Sequence, residues 1–345
     1  MKMSQPKQTS PGKSALSLVR LQLFMPFVQE LDRLGLNTNA LLQRHSLVRA
    51  SVEDTNLFIP SNIIHRLLED AAAAADDLFI GTRVGEQLDF TRWSPLVDAA
   101  GQASSFGDFL TRFILAASED ASSAAHSLEL KGEYTFFREH RVSEPDITPS
   151  QNDAFTAAYL LTILQSAVGE HWNPQAVLLQ VCTPEVLPAG YHGIQVVGGD
   201  NRGMWIRFPT IWLTQPIERR SFIAAPALMS EKTHPPGSFL EALWRTLSSR
   251  LGNEDLTVDN VARLLGLSRQ TLQRRLKASN TSLTQELMQL KQQRAIEELV
   301  HADRPVAEIG EALGFQNPAS FTRAFKSWTG QSPRDYRKVH EGHNS

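Results

Sequence analysis

A single cysteine, Cys182, stands among 345 residues, so the chain has no internal disulfide to staple it. A reducing compartment is the natural expectation. Set in the apolar stretch VLLQVC, this thiol reads as a small core residue rather than a sensor. Long apolar runs are missing too: none approaches the ~20 residues needed to span a bilayer. Met1 to Ser14 is polar, with proline, serine and lysine, and lacks the apolar stretch and cleavage site of an export signal. The expectation is a soluble cytoplasmic protein with no membrane partner. Catalytic signatures are equally scarce. The ten histidines show no paired metal-ligand spacing, and no Gly-x-Ser-x-Gly elbow occurs. Gly12-Lys13-Ser14 looks like the end of a phosphate-binding loop, yet Lys7 stands where the leading glycine is required. GGDNRG, 198–203, has loop glycines without a following helix. No metal, cofactor or catalytic residue is expected, and the chain does not read as an enzyme.

What is present is ordinary globular composition, 41% hydrophobic and 21% charged, in a chain long enough for two separate cores. The net charge of −3 conceals an asymmetry. Thr257 to His340 carries 13 lysines and arginines against 8 acids, a balance of +5, while the residues before it are acidic. A basic end on an acidic body points to a polyanionic partner for that end alone.

The N-terminal part opens with Leu23, Phe27, Leu31 and Leu34 at helical spacing before Gly35. Further helices are predicted from Pro60 to Asp76, Ser105 to Ser118 and Asn152 to Val168. Between them the period changes to two. Leu128 to Arg138 (LELKGEYTFFR) reads as a β-hairpin turning at Lys131-Gly132, and Ala176 to Cys182 as a short strand. Gln195–Val197 and Met204–Phe208 flank GGDNRG and predict a second hairpin. The expectation is an α+β domain over 15–232, after a flexible N-terminus of residues 1–14. In THPPGS, 233–238, two prolines remove backbone donors and restrict the residues before them, so a linker is placed there.

From 239 to 340 every segment reads helical, giving an all-α domain of about seven helices. Leu240, Leu243, Trp244 and Leu247 share a stripe, and Gly252 stops that helix. Thr257, Ser268, Ser282, Asn317 and Ser332 stand where N-caps are needed, the last two followed by proline at the first helical position. Two stretches repeat: VDNVARLLGLSRQTLQRRLK and VAEIGEALGFQNPASFTRAFK. With Gly266 matched to Gly314 and one extra residue in the second turn, Leu272, Arg274, Leu276 and Lys277 fall on Phe321, Arg323, Phe325 and Lys326. Each repeat is a short helix, a glycine turn and a second helix with an apolar pair at i, i+4, the pattern of a helix-turn-helix. The apolar pair assigns the opposite face to solvent. Gln270, Gln273, Arg274 and Lys277 share it in the first repeat, and Ala319, Thr322, Arg323 and Lys326 in the second. Glutamine and arginine suit bidentate contacts with base edges, whereas lysine more often meets phosphate, so the first repeat reads as the base reader and the second partly as a clamp. The predicted connecting helix, Ser282 to Leu299, spans ~27 Å and sets the two units on the scale of one DNA turn, ~34 Å.

This region resembles the DNA-binding region of the AraC/XylS family of bacterial regulators, through AEIGEALGFQNPASFTRAFKSWTGQSPRDYR, Ala307 to Arg337. The resemblance maps recognition helices onto Arg269–Lys277 and Pro318–Lys326. It implies DNA contacts from Arg269, Gln270, Thr271, Gln273, Arg274 and Lys277, and from Asn317, Ala319, Ser320, Thr322, Arg323 and Lys326. Pro318 and Ala319 depart from the polar residues many members carry there, which weakens base reading at that end. Tyr191 to Ile217, YHGIQVVGGDNRGMWIRFPTIWLTQPI, resembles the subgroup with an arabinose-binding-type sensor domain, a label that does not imply arabinose as ligand. The implied function is sequence-specific transcription regulation on double-stranded promoter or operator DNA, with RNA polymerase, a small-molecule effector and a second copy of the chain as partners. An N-terminal domain that only dimerises or contacts protein, without an effector, is the alternative. A sensor pocket is expected near the hairpins, lined by some of Phe136, Tyr159, His192, Trp205 and Arg207; otherwise these aromatics are core and Arg207 is solvated.

Overall fold

The computed structural model describes residues 16–54, 57–89, 99, 103–216, 238–248, 250–252, 256–301 and 304–341. They form two compact units, 16–216 and 238–341. The N-terminus at 1–14 and, apart from Ser238, the linker at 233–238 lie outside the described residues. Among the described residues no helix is long and apolar enough to cross a membrane.

The N-terminal unit is α+β, as the change of period predicts. Strand β1 (Leu18–Arg20) leads through a single 3-10 turn into helix α1 (Met25–Arg33), followed by α2 (Thr38–Arg44) and α3 (Arg49–Glu53). Strand β2 (Phe58–Pro60) pairs antiparallel with β1. Helices α4 (Ser61–Ala75), α5 (Ile80–Glu86) and α6 (Phe106–Asp120) precede the hairpin of β3 (Ala124–Lys131) and β4 (Tyr134–Arg141). That hairpin turns at Gly132, whose φ of +62° is a conformation open to glycine at little cost. Helix α7 (Ser150–Val168), β5 (Leu178–Val181), β6 (Gln195–Gly198) and β7 (Gly203–Pro209) complete the unit.

The five-stranded sheet runs β3-β4-β7-β5-β6, so the hairpin expected between β6 and β7 does not form. Strand β5 lies between them, parallel to β6 and antiparallel to β7. Burial accounts for the order. Leu179 and Val181 of β5 are fully buried and suit a strand inside the sheet, whereas Gln195 and Val197 of β6 are exposed and tolerate the edge. Cys182, at the end of β5, is half-buried rather than core. Its N–H donates to Asp153 at 2.8 Å, and burial together with that carboxylate pushes the thiol up to about 12.

Alternation decides which side of the sheet the core covers. Phe137, Met204, Ile206 and Phe208 face inward, Phe208 meeting Phe106 and Phe137 meeting Phe113 of α6, while α7 is buried along most of its length. Each such ring removed from water contributes about 2 to 3 kcal/mol.

The C-terminal unit is all-α: α8 (Phe239–Ser248), α9 (Val258–Leu264), α10 (Arg269–Ala278), α11 (Leu283–His301), α12 (Val306–Ala312), α13 (Pro318–Thr329) and α14 (Pro333–Glu341). The caps fall where their chemistry predicts. Thr257, Ser268, Ser282, Asn317 and Ser332 accept from the N–H of Asn260, Thr271, Gln285, Ser320 and Asp335 at 2.8–3.3 Å. Each satisfies a donor that the first helical turn leaves open. Helix α11 is the hub, packing against α8, α12, α13 and α14.

Candidate nucleic-acid interface and ligand cavity

Both repeats form a short helix, a turn and a longer helix. Gly266 and Gly314 leave the first helices with φ of +57° and +76°. In α10, Leu272 and Leu276 are buried, so Arg269, Gln270, Gln273, Arg274 and Lys277 point to solvent. Arg269 is engaged by Asp259 of α9 at 2.7 Å, and half-buried Thr271 accepts a hydrogen bond from the Ser268 hydroxyl at 2.9 Å. These two hold the start of the helix. Arg274 and Lys277 make no ion pair among the described residues. Of the consecutive arginines, Arg275 folds back, its guanidinium 5.8 Å from the Phe239 ring centre, and burial followed by the like charge of Arg274 lowers its pKa. Arg274 is thereby left as the outward fork with donors to spend.

In α13, Phe321 and Phe325 are fully buried, and the start of the helix is committed internally. Asn317 accepts from both the N–H and the hydroxyl of Ser320 at 2.8 Å, and half-buried Thr322 donates to the Pro318 carbonyl at 2.9 Å. Ala319 is exposed but has nothing to donate. Arg323 and Lys326 are exposed and free of ion pairs among the described residues. This face therefore offers two cations and little hydrogen-bonding information.

The N-terminal unit holds a cavity of about 110 Å³. Its walls come from the 3-10 turn before α1, from α1, α4, α6 and α7, and from the inner face of β3 and β4. Most are apolar, including Phe24, Ile64, Phe113 and Phe155, but Glu139, His126, Asn152, Thr156 and Tyr159 also line it. Glu139 is buried with His126 Nε2 at 3.5 Å, Asn152 Nδ2 at 3.4 Å and Arg141 Nη2 at 3.9 Å. Burial penalises its charge, yet the His126 bond and the nearby charge of Arg141 hold its pKa below the usual value. Burial, and after it the Glu139 charge, raises the Tyr159 phenol well above its ordinary range.

Of the five residues expected to line a pocket, only Tyr159 lies in this cavity. Phe136, Trp205 and Arg207 belong to the opposite face of the sheet, where Phe136 meets Trp205 edge-on at 5.5 Å and Arg207 stacks 4.5 Å over Tyr134. His192 is elsewhere again, its Nε2 3.0 Å from Glu86 of α5. Glu139, His126 and Asn152 were not expected. On β4 the charged Glu139 and Arg141 share the inward set with Phe137, while His126 and Asn152 come from β3 and α7.

A family model described as the arabinose-binding domain of AraC transcription regulator, N-terminal, matches residues 35–217. A second, described as a helix-turn-helix domain, matches residues 261–339. An ornithine utilization regulator of Pseudomonas aeruginosa is 32% identical over 145 residues, 38% of this chain and 42% of that one. A transcriptional activator, NphR, of a Rhodococcus species is 32% identical over 101 residues, 29% of this chain and 30% of that one. The aligned part of the chain thus spans less than half the length of either relative. Among solved structures, the transcriptional regulator CdpR of Pseudomonas aeruginosa aligns over 92% of this chain and 98% of its own, at 19% identity and a TM-score of 0.39.

Proposed function

This chain belongs to the AraC family of DNA-binding transcription regulators rather than to an enzyme family, and from that premise we propose that a small effector held in its N-terminal unit sets how its C-terminal unit engages an operator. Within the C-terminal unit, α10 is the base reader and α13 the phosphate clamp. The carrying observation is the contrast between the two exposed faces. Among the described residues Gln270, Gln273 and Arg274 present uncommitted amide and guanidinium groups, whereas the polar groups opening α13 are consumed in its own cap. The 19-residue helix α11, ~28 Å long, supports a spacing close to one turn of duplex between the two recognition helices. The cavity beside Glu139 supports the effector half of the reading, because it is concave, mostly apolar and carries few polar groups. RNA polymerase and a second copy of the chain are the macromolecular partners, and the cytoplasm the compartment, that this reading supplies.

The test begins with selection of a preferred duplex from a random pool. Arg274→Ala then weakens that duplex by about 1 to 3 kcal/mol and relaxes preference at one base pair, while random duplex is little affected. Lys326→Ala weakens all duplexes alike and lowers the salt dependence by about one ion. Equal losses on selected and random DNA for both variants overturn the assignment of reader and clamp.

A further inference from the structure

We infer that the cavity of the N-terminal unit binds the ammonium group of a small organic cation, with the Glu139 carboxylate as its counter-ion. The inference rests on the reading of this unit as the effector-binding part of the molecule, and adds the ligand's chemical class.

The first ground is the charge balance of the buried groups. Three carboxylates, Asp120, Glu139 and Asp153, are buried in and beside the cavity with two guanidiniums, Arg20 and Arg141. Arg20 pairs with Asp120 at 2.5 Å, and Arg141 pairs directly with Asp153. Each arginine thereby has its own carboxylate, although the Arg141 Nε–H is buried without a partner among the described residues. Among the described residues Glu139 is left with an imidazole, an amide and, at 3.9 Å, the same Arg141 Nη2 that Asp153 holds, none nearer than 3.4 Å. Charge-assisted bonds to a carboxylate ordinarily measure about 2.7 to 2.9 Å, and a carboxylate offers about four acceptor positions. A buried anion held this loosely keeps capacity for a short bond, and placing a cation against it offsets part of the cost of its burial.

The second ground is the rest of the lining. Phe24, Phe27, Phe113 and Phe155 surround an apolar space, and ring faces attract cations and repel anions. A carboxylate or phosphate ligand would meet Glu139 at close range, with no guanidinium among the residues lining the cavity to answer it. Size narrows the class further. A cavity of ~150 Å³ holds benzene, so about 110 Å³ suits a head and short chain of about five heavy atoms.

The experiment follows thermal melting and calorimetry of the 345-residue chain at fixed ionic strength against three probes of similar length: n-butylammonium, 1-butanol and butyrate. Butylammonium is expected to raise the melting temperature in proportion to the logarithm of its concentration, and the alcohol and the acid to leave it unmoved. Glu139→Gln should lower ammonium affinity about tenfold or more. Ala117→Leu, which extends a side chain into the cavity and leaves Glu139 and its partners in place, should abolish binding even if Glu139→Gln fails to fold. Equal binding of butanol, or unchanged ammonium affinity in Glu139→Gln, overturns the ligand class and leaves the effector reading standing. Ammonium binding that survives in Ala117→Leu places the site elsewhere and overturns the inference. If none of the three probes binds, the cavity accepts no guest of its own size, and the effector reading of it fails together with the ligand class.

Discussion

Gly310 sits in α12 where its Cα faces Phe321 of α13, and a Cβ there would lie 3.0 Å from the Phe321 Cβ and Cγ. The first repeat solves the same contact with the sizes exchanged. Matching Gly266 to Gly314 sets Ala262 against Gly310 and Leu272 against Phe321, and all four are buried. The Gly310→Ala substitution therefore inserts a methyl where the larger partner already fills the space. Phe321 is fully buried and bounded by Phe315 and Phe325, with ring centres 5.4 and 5.9 Å away, so its ring has little room to turn aside. Overpacking of this kind costs about 1 to 3 kcal/mol. Alanine's better helix propensity returns about 1 kcal/mol, leaving a net loss of about 0 to 2 kcal/mol. Phe321→Leu alone also destabilises, by leaving a void. The double variant rebuilds the Ala262–Leu272 pairing and should lose less than the sum, with a favourable coupling of about 0.5 to 3 kcal/mol. Denaturant unfolding of a fragment starting at Ser238, followed through Trp244 and Trp328, measures all four corners of the cycle. Stabilisation by Gly310→Ala, or a Phe321→Leu cost that is the same in both backgrounds, would refute the reasoning.

Burial, and after it the charge of Arg141, lowers the His65 pKa to about 4, and its Nδ1 is buried without a hydrogen-bond partner among the described residues. The unfolded chain then binds more protons than the folded one between about pH 6.5 and 4, so stability falls as pH falls through that window, by up to about 3 kcal/mol at its lower end. His65→Gln should flatten this acid limb in melts taken across the window; an unchanged limb rejects the assignment. The high pKa of the Cys182 thiol predicts slow alkylation at neutral pH until the chain unfolds, and rapid labelling of the folded protein contradicts it. A fragment starting at Ser238 should fold and bind the selected duplex, more weakly than the whole chain if the N-terminal unit couples two copies. Failure of this fragment to fold removes the proposed boundary at 233–238.

The C-terminal unit was legible in the sequence because its signals are local. Caps such as Ser268 and Asn317 act on amides three residues away, Gly266 and Gly314 act on their own φ, and the pairs Leu272/Leu276 and Phe321/Phe325 select a buried face within one turn of helix. Once that face is set, the exposure of Arg274 and Lys277 follows from helical geometry alone. The N-terminal unit was legible only as elements. Its short strand signals located β3, β4, β5, β6 and β7, yet alternation defines two faces of a strand without saying which one helices will cover. In YTFFREHR aromatic and charged residues occupy both sets of positions, so nothing local separates Phe136, which faces away from the core, from Phe137, which is buried in it. Strand order was hidden for a related reason. The place of β5 between β6 and β7 depends on what Leu179 and Val181 bury against, a long-range matter that no turn between neighbours encodes. The cavity is tertiary throughout: β3 pairing sets His126 opposite Glu139, and α7 returns Asn152 and Tyr159 to the same space, so four residues separated along the chain, of which only Tyr159 was expected at a pocket, become one polar floor only when helix and sheet close over it.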